Sequence, residues 1–166
     1  MRPPFVAAAA VAAGIAGLAQ AQAPAPRPIG VAKAVAAAES ALGARAFEAE
    51  LDRERGRLVY EIKLVKDGRA LEADLDAMTG AIIRQNSPTA WRLPFRYENL
   101  RAVQTAPRTL SQTIAAVEGA TRGTVTEIGL ERRGQRHYYE VELVGAQDRE
   151  ILVDLRTGAI TPRIDD

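Results

Sequence analysis

The chain has 166 residues, with 22 Lys and Arg against 21 Asp and Glu, a single histidine and no cysteine. Without cysteine there is no disulfide framework, thiolate metal site or lipoprotein-type cysteine, and one histidine excludes a His-Glu-x-x-His zinc centre or any multi-histidine site. The near-neutral balance argues against the clustered basic surface that nucleic-acid binding requires, so no nucleic-acid partner is expected.

Met1-Arg2 precedes an apolar run from Phe5 to Ala19, and Ala19-Gln20-Ala21 follows as a small-residue cleavage site. Residues 1–21 therefore read as a secretory signal peptide. Cleavage after Ala21 is preferred, because a cut after Ala23 would leave Pro24 directly behind it. The run is about 15 residues where a bilayer span needs roughly 20, which leaves an uncleaved anchor as the weaker alternative. Export places the mature chain in the periplasm or outside the cell, with no stable membrane insertion after cleavage. Residues 22–28 carry Pro24, Pro26 and Pro28 and read as an extended linker.

Residues 29–84 form a first repeat. A helix is expected after Gly30, with the stripe Val31, Val35, Ala38 and Leu42 and a stop at Gly43. The period then changes to two. Phe47, Ala49 and Leu51 alternate with Glu48, Glu50 and Asp52; after Gly56, Leu58, Tyr60, Ile62 and Leu64 alternate with Val59, Glu61, Lys63 and Val65. These are half-buried strands. Asp67-Gly68 supplies hairpin chemistry, Leu71, Ala73 and Leu75 give a third strand, Asp76 to Gly80 makes another turn, and Ile82-Ile83 adds a short final strand.

Residues 85–107 read as an inter-repeat linker broken by Pro88, Pro94 and Pro107 and holding Trp91, Phe95 and Tyr97. Residues 108–164 form the second repeat. Thr109-Leu110-Ser111-Gln112 fits a capping box; Leu110, Ile114 and Val117 make the stripe, with Gly119 and Gly123 as stop signals. Tyr60 and Tyr139 lie 79 positions apart, and the same offset pairs Val31 with Leu110, Glu39 with Glu118 and Glu48 with Glu127. Asp76 and Asp154 lie 78 apart, so one residue is lost in the connection after Val144. A surface turn tolerates that loss. The expected fold class is α+β: two repeated modules, each a helix packed on a small antiparallel meander, because each helix stripe and each strand face is apolar on one side only.

The two motif sets are Leu58-Val59-Tyr60-Glu61-Ile62 with Asp76-Ala77-Met78-Thr79-Gly80-Ala81-Ile82, and His137-Tyr138-Tyr139-Glu140-Val141 with Asp154-Leu155-Arg156-Thr157-Gly158-Ala159-Ile160. In these residues each repeat resembles a PepSY domain, the module of thermolysin-like peptidase propeptides and YpeB-type proteins. Copy two has Gly145-Ala146-Gln147-Asp148 where copy one has the Asp-Gly hairpin. The resemblance implies a binding module that inhibits a peptidase in trans, since no peptidase domain follows in this sequence.

No catalytic constellation is found. His137 sits opposite Leu58 in the repeat and reads as a structural histidine; Ser40, Ser87 and Ser111 lack a nucleophile-elbow context. Glu72, Asp74 and Asp76 alternate on one strand face, which reads as a solvated face before a calcium site, since calcium needs six or more oxygens. The Arg53–Arg57 and Arg132–Arg136 clusters read as solvated hairpin tips, and the linker aromatics as cover for a sheet edge or seam. The protein is accordingly expected to be non-enzymatic, with no cofactor and no metal. Partner contact is assigned to Tyr60, Glu61, Tyr139 and Glu140 of the repeated Tyr-Glu motif and to Trp91 of the linker. Two functions compete: regulation of a peptidase by protein contacts, and envelope binding or scaffolding, with or without a cation or small ligand. The sequence leaves the partner and the oligomeric state open.

Overall fold

A computed structural model describes residues 27–87, 97–147 and 149–163. Residues 1–21, read from the sequence as a signal peptide, and Trp91 and Phe95 lie outside the described residues. Helix α1 (Val31–Leu42) leads into strands β1 (Arg45–Glu54), β2 (Arg57–Lys66), β3 (Arg69–Asp76) and β4 (Ile82–Asn86). Helix α2 (Tyr97–Thr105) follows, then α3 (Leu110–Thr121), β5 (Thr124–Arg133), β6 (Arg136–Val144), β7 (Glu150–Asp154) and β8 (Ile160–Pro162).

Each half folds as its period and turn residues dictate. Arg55-Gly56 and Asp67-Gly68 both take positive φ, the pair of conformations that closes a two-residue hairpin matching the twist of the strands. Glu54 accordingly pairs with Arg57, and Lys66 with Arg69. The capping box at α3 is complete: the Gln112 amide donates to Thr109 Oγ1 at 3.1 Å, and the Thr109 amide to Gln112 Oε1 at 3.0 Å. Gly30 has no side chain to cap α1; its amide instead donates to the Tyr60 hydroxyl at 3.0 Å.

The two halves share one sheet. Its strand order is β4-β3-β2-β1-β5-β6-β7-β8, with the halves joined by antiparallel pairing of β1 and β5. Ala49 pairs with Ile128, its own counterpart at the 79-residue offset, flanked by Glu48 with Gly129 and Glu50 with Glu127. A local pseudo-twofold axis thus passes through the Ala49–Ile128 pair. Joining the strands here removes two sheet edges that would otherwise be open to pairing with other chains. Helices α1 and α3 also pack on each other, and one continuous apolar core runs under both. Val31, Val35, Ala38, Phe47, Tyr60, Ile62 and Leu64 meet Leu110, Ile114, Val117, Ile128, Tyr139 and Val141 there.

Each strand at the seam carries a bulge, at Phe47 in β1 and at the equivalent Thr126 in β5. The equivalent glutamates anchor both: Glu39 Oε1 accepts the Ala46 amide at 3.1 Å, and Glu118 Oε1 the Val125 amide at 3.0 Å. A bulge leaves a ladder group unpaired, and a carboxylate at the end of the preceding helix satisfies it. Glu39 also ties the halves together by accepting from Ser111 Oγ at 3.0 Å. Arg45 adds a second tie, its Nη2 donating to the Ala106 and Arg108 carbonyls at 2.9 and 2.8 Å.

Three local features differ from the sequence reading. The segment 85–107 is not wholly irregular: β4 runs through Asn86, and α2 places Leu100 and Val103 in the shared core. The left-handed cap of α3 is Arg122 (φ 59°), not a glycine. Gly119 lies inside the helix, and Gly123 is required for space, since a Cβ there would stand 2.7 Å from the Ala146 Cβ. In copy two the connection between the central strands widens to residues 145–149, because β6 ends at Val144 and β7 begins only at Glu150.

Candidate interaction surface

The helices bury one face of the sheet, and the other carries alternate residues with mostly acidic side chains. Register across all the strands brings them into line. Arg84 faces Asp74, Asp74 faces Glu61, Glu61 faces Glu50, Glu50 crosses the seam to Glu127, Glu127 faces Glu142, and Glu142 faces Glu150. Six carboxylates on six successive strands thus form one row, with neighbouring strands about 4.8 Å apart. Arginines close its ends: Arg84 pairs with Asp74 and, at 3.1 Å, with Glu54; Arg163 pairs with Glu140 and, at 3.0 Å, with Glu150. In the adjoining row Lys63 pairs with Glu48. Among the described residues no ion pair reaches the four central glutamates, Glu61, Glu50, Glu127 and Glu142.

Like charges directly opposite across strands repel, and for Glu61 and Glu127 this repulsion adds to the larger effect of burial. Burial, followed by the charges of Glu50, Asp74, Asp52 and Glu54, raises the pKa of Glu61 above the ordinary 4.5. Glu127 is raised by burial and then by Glu142, Glu50 and Glu48, with Lys63 opposing. Asp74 is 2% exposed, and burial raises its pKa even against the Arg84 guanidinium beside it. For Lys63 burial alone would lower the pKa, but the Glu48 hydrogen bond and the surrounding carboxylates outweigh it and raise the value.

The assigned contact residues separate by parity. Tyr60 and Tyr139 are each 1% exposed and lie in the core, while Glu61 and Glu140 stand on the open face. Burial pushes both tyrosine hydroxyls above their ordinary pKa; for Tyr60 the Gly30 hydrogen bond opposes it. Trp91 falls outside the described residues. His137 faces Asn99 of α2, its Nε2 lying 3.0 Å from Asn99 Oδ1. Among the described residues no group of three or more His, Cys, Asp or Glu is arranged to hold a metal ion, and no helix is long and apolar enough to cross a membrane.

Glu50 and Glu127 escape the sequence reading as members of a site. Their signal was present as acidic residues at alternate strand positions, but the β1–β5 register that aligns them across the seam is a long-range fact.

The repeated Asp-x-x-Thr-Gly turn has one geometry in both halves. Asp76 Oδ1 accepts from the Met78 and Thr79 amides and from Thr79 Oγ1, each at 3.0 Å. Asp154 Oδ1 accepts from the Arg156 and Thr157 amides and Thr157 Oγ1 at 3.0, 2.8 and 2.9 Å. The Gly80 and Gly158 amides then donate to the aspartate carbonyls at 2.8 Å, each glycine having positive φ. Asp, Thr and Gly are each needed, as acceptor, donor and left-handed residue.

This duplicated turn, with the helix before and the meander around it, is also where comparison with known proteins places the chain. The family model described as "Peptidase propeptide and YPEB domain" (PepSY) matches residues 28–86 and 109–161. The chain belongs to the PepSY family. Its two PepSY matches divide at the segment that holds α2 and cover each half of the shared sheet. No curated protein matches the chain. A crystal structure described as "a putative lipoprotein" from Clostridium difficile 630 is similar at 18% identity and a TM-score of 0.42, over 82% of this chain and 91% of that one.

Proposed function

We propose that this PepSY protein is non-catalytic, acts in the periplasm or outside the cell, and binds and inhibits a peptidase through protein contacts made by the open sheet face. The carrying observation is that face: a row of carboxylates running unbroken across both repeats, in a chain whose family is that of peptidase propeptides. Holding like charges in register costs stability, and a docked partner presenting lysine or arginine side chains would offset the cost. Glu61 and Glu140 are the motif residues in contact, joined by Glu50, Glu127 and Glu142. The exposed outer strand β4 offers a second means of docking, by strand addition.

The test uses the chain from Gln22 to Asp166. Peptidases captured on it from envelope and secreted fractions are titrated with it; stoichiometric, saturable loss of activity is expected, weakened by Glu61→Lys with Glu127→Lys. Captured peptidases that keep full activity at saturation would overturn inhibition. They would favour the second reading, an envelope binding or scaffold protein, for which a cleft beside α2 is the specific support.

A further inference from the structure

A cleft of about 450 Å³ lies between the second half of α2 and the turns of the second repeat. Ala102, Thr105, Ala106 and Pro107 form one wall; Gln135, Arg136, His137, Asp154, Leu155 and Arg156 form the other. The first repeat is an internal control for this site. At the positions of His137, Arg156 and Arg108 it has Leu58, Met78 and Ile29. The backbones agree, since the Leu155 amide donates to the His137 carbonyl at 3.0 Å and the Ala77 amide to the Leu58 carbonyl at 3.2 Å. Ile29 caps the turn of the first repeat, where a Cβ on Gly80 would lie 2.9 Å from its Cδ1. In the second repeat the Arg108 guanidinium takes that place, 2.6 Å from the position of a Cβ on Gly158. One fold therefore carries an apolar trio in one copy and two arginines with a histidine in the other, at the copy to which α2 adds a second wall.

Asp154 is the one carboxylate in the lining, and its Oδ1 is already taken by three hydrogen bonds of its own turn. Arg136 and Arg156 are exposed, so their guanidinium groups meet an incoming ligand without first breaking out of a core. Ala102, Ala106 and Leu155 offer an apolar surface opposite them. We propose that this cleft binds a small organic carboxylate, its anionic group held by the guanidinium groups of Arg136 and Arg156 and its apolar body laid against Ala102, Ala106 and Leu155. Planar guanidinium forks suit a carboxylate, and a cleft of mixed apolar and convergent polar lining suits a small molecule. The carboxylate could belong to a free acid or to the C-terminus of a peptide, and both present the same chemistry. This site is separate from the open face and does not depend on the peptidase reading.

The test is a nitrogen-15 NMR titration of the chain from Gln22 to Asp166 with butyrate, with N-acetyl-alanyl-alanine, and with the C-terminal amide of the same dipeptide. Saturable shifts of the Thr105, Ala106, Leu155 and Arg156 amides are expected with a carboxylate ligand, with the amide weaker by about tenfold. Binding of both acids indicates a free carboxylate as sufficient; binding of the dipeptide alone identifies a peptide C-terminus. Restoring the residues of the first repeat, His137→Leu with Arg156→Met, should abolish the shifts while the rest of the spectrum is retained. If that variant fails to fold, Arg136→Gln with Arg156→Gln serves instead. No saturable shift with either acid, equal binding of the amide, or undiminished binding in the variants would overturn the proposal.

Discussion

The side chains of Asp76, Asp154, Thr109 and Tyr60 each answer a backbone group that the chain's own turns leave unpaired. In the Asp-x-x-Thr-Gly turns, hydrogen bonds from Thr79 hold Asp76 below the ordinary 3.8, and the Thr157 amide is the main cause for Asp154. A carboxylate whose pKa is depressed on folding stabilises above its unfolded value and loses that contribution as pH falls through its folded value. Asp154→Ala should therefore lower the melting temperature at neutral pH and make the acid side of the stability curve shallower, as read by circular dichroism across a pH series. Thr109→Ala should cost about 1 kcal/mol in urea denaturation through the lost capping box. Tyr60→Phe should cost about 1 kcal/mol, since the Gly30 amide loses its acceptor while the ring still packs. The two motif tyrosines were legible in the sequence as a repeated feature. Their burial was legible too, in their parity with Ile62 and Val141; assigning them to partner contact set the motif above the alternation.

At the level of elements, Gly119 within α3 and Gly123 just beyond its cap separate propensity from packing. Gly119 is helical, and a methyl added to it would have nothing within 4 Å, whereas a methyl on Gly123 meets the Ala146 Cβ and the Val144 carbonyl. Gly119→Ala should stabilise by about 0.5–1 kcal/mol. Gly123→Ala should destabilise by about 1–3 kcal/mol, the range for overpacking a close contact. Paired urea denaturation curves check both signs. The helices α1 and α3 and the hairpins were readable because their signals are local: a stripe at spacings of three and four, or a turn dipeptide between alternating strands. Helix α2 was not. It is nine residues in a segment broken by prolines, and its inward stripe reduces to Leu100 and Val103. Tertiary burial fixes such a helix, since one this short is marginal alone.

Across the whole molecule the carboxylate row and the shared core act in opposition. Glu61 and Glu127 have raised folded pKa values, so their contribution is favourable below the ordinary 4.5 and is lost as pH rises through the folded values. The depressed aspartates of the turns act in the opposite sense, contributing stability above their unfolded value. Glu61→Gln and Glu127→Gln should each stabilise by about 0.2–1 kcal/mol at pH 7. The gain should shrink on acidification or on adding salt, which thermal melts at several ionic strengths can measure. The core is continuous across the seam, so residues 27–87 alone would expose the edge of β1 and the side of α1. That fragment should be unfolded or self-associated by circular dichroism and sedimentation, whereas the chain from Gln22 to Asp166 should show a single cooperative unfolding transition.

The sequence by itself determined the duplication, the helix and meander of each half, the turn chemistry and the family, because each rests on residues close in the chain whose side-chain period or backbone conformation acts locally. Only the tertiary structure decided that the halves share one sheet, that Ala49 meets Ile128, that six carboxylates align across the strands, and that α2 walls a cleft with the turns of the second repeat. Those features depend on strand register and on packing between residues far apart in the chain. A repeat offset fixes which residues are equivalent; it does not fix which of them touch.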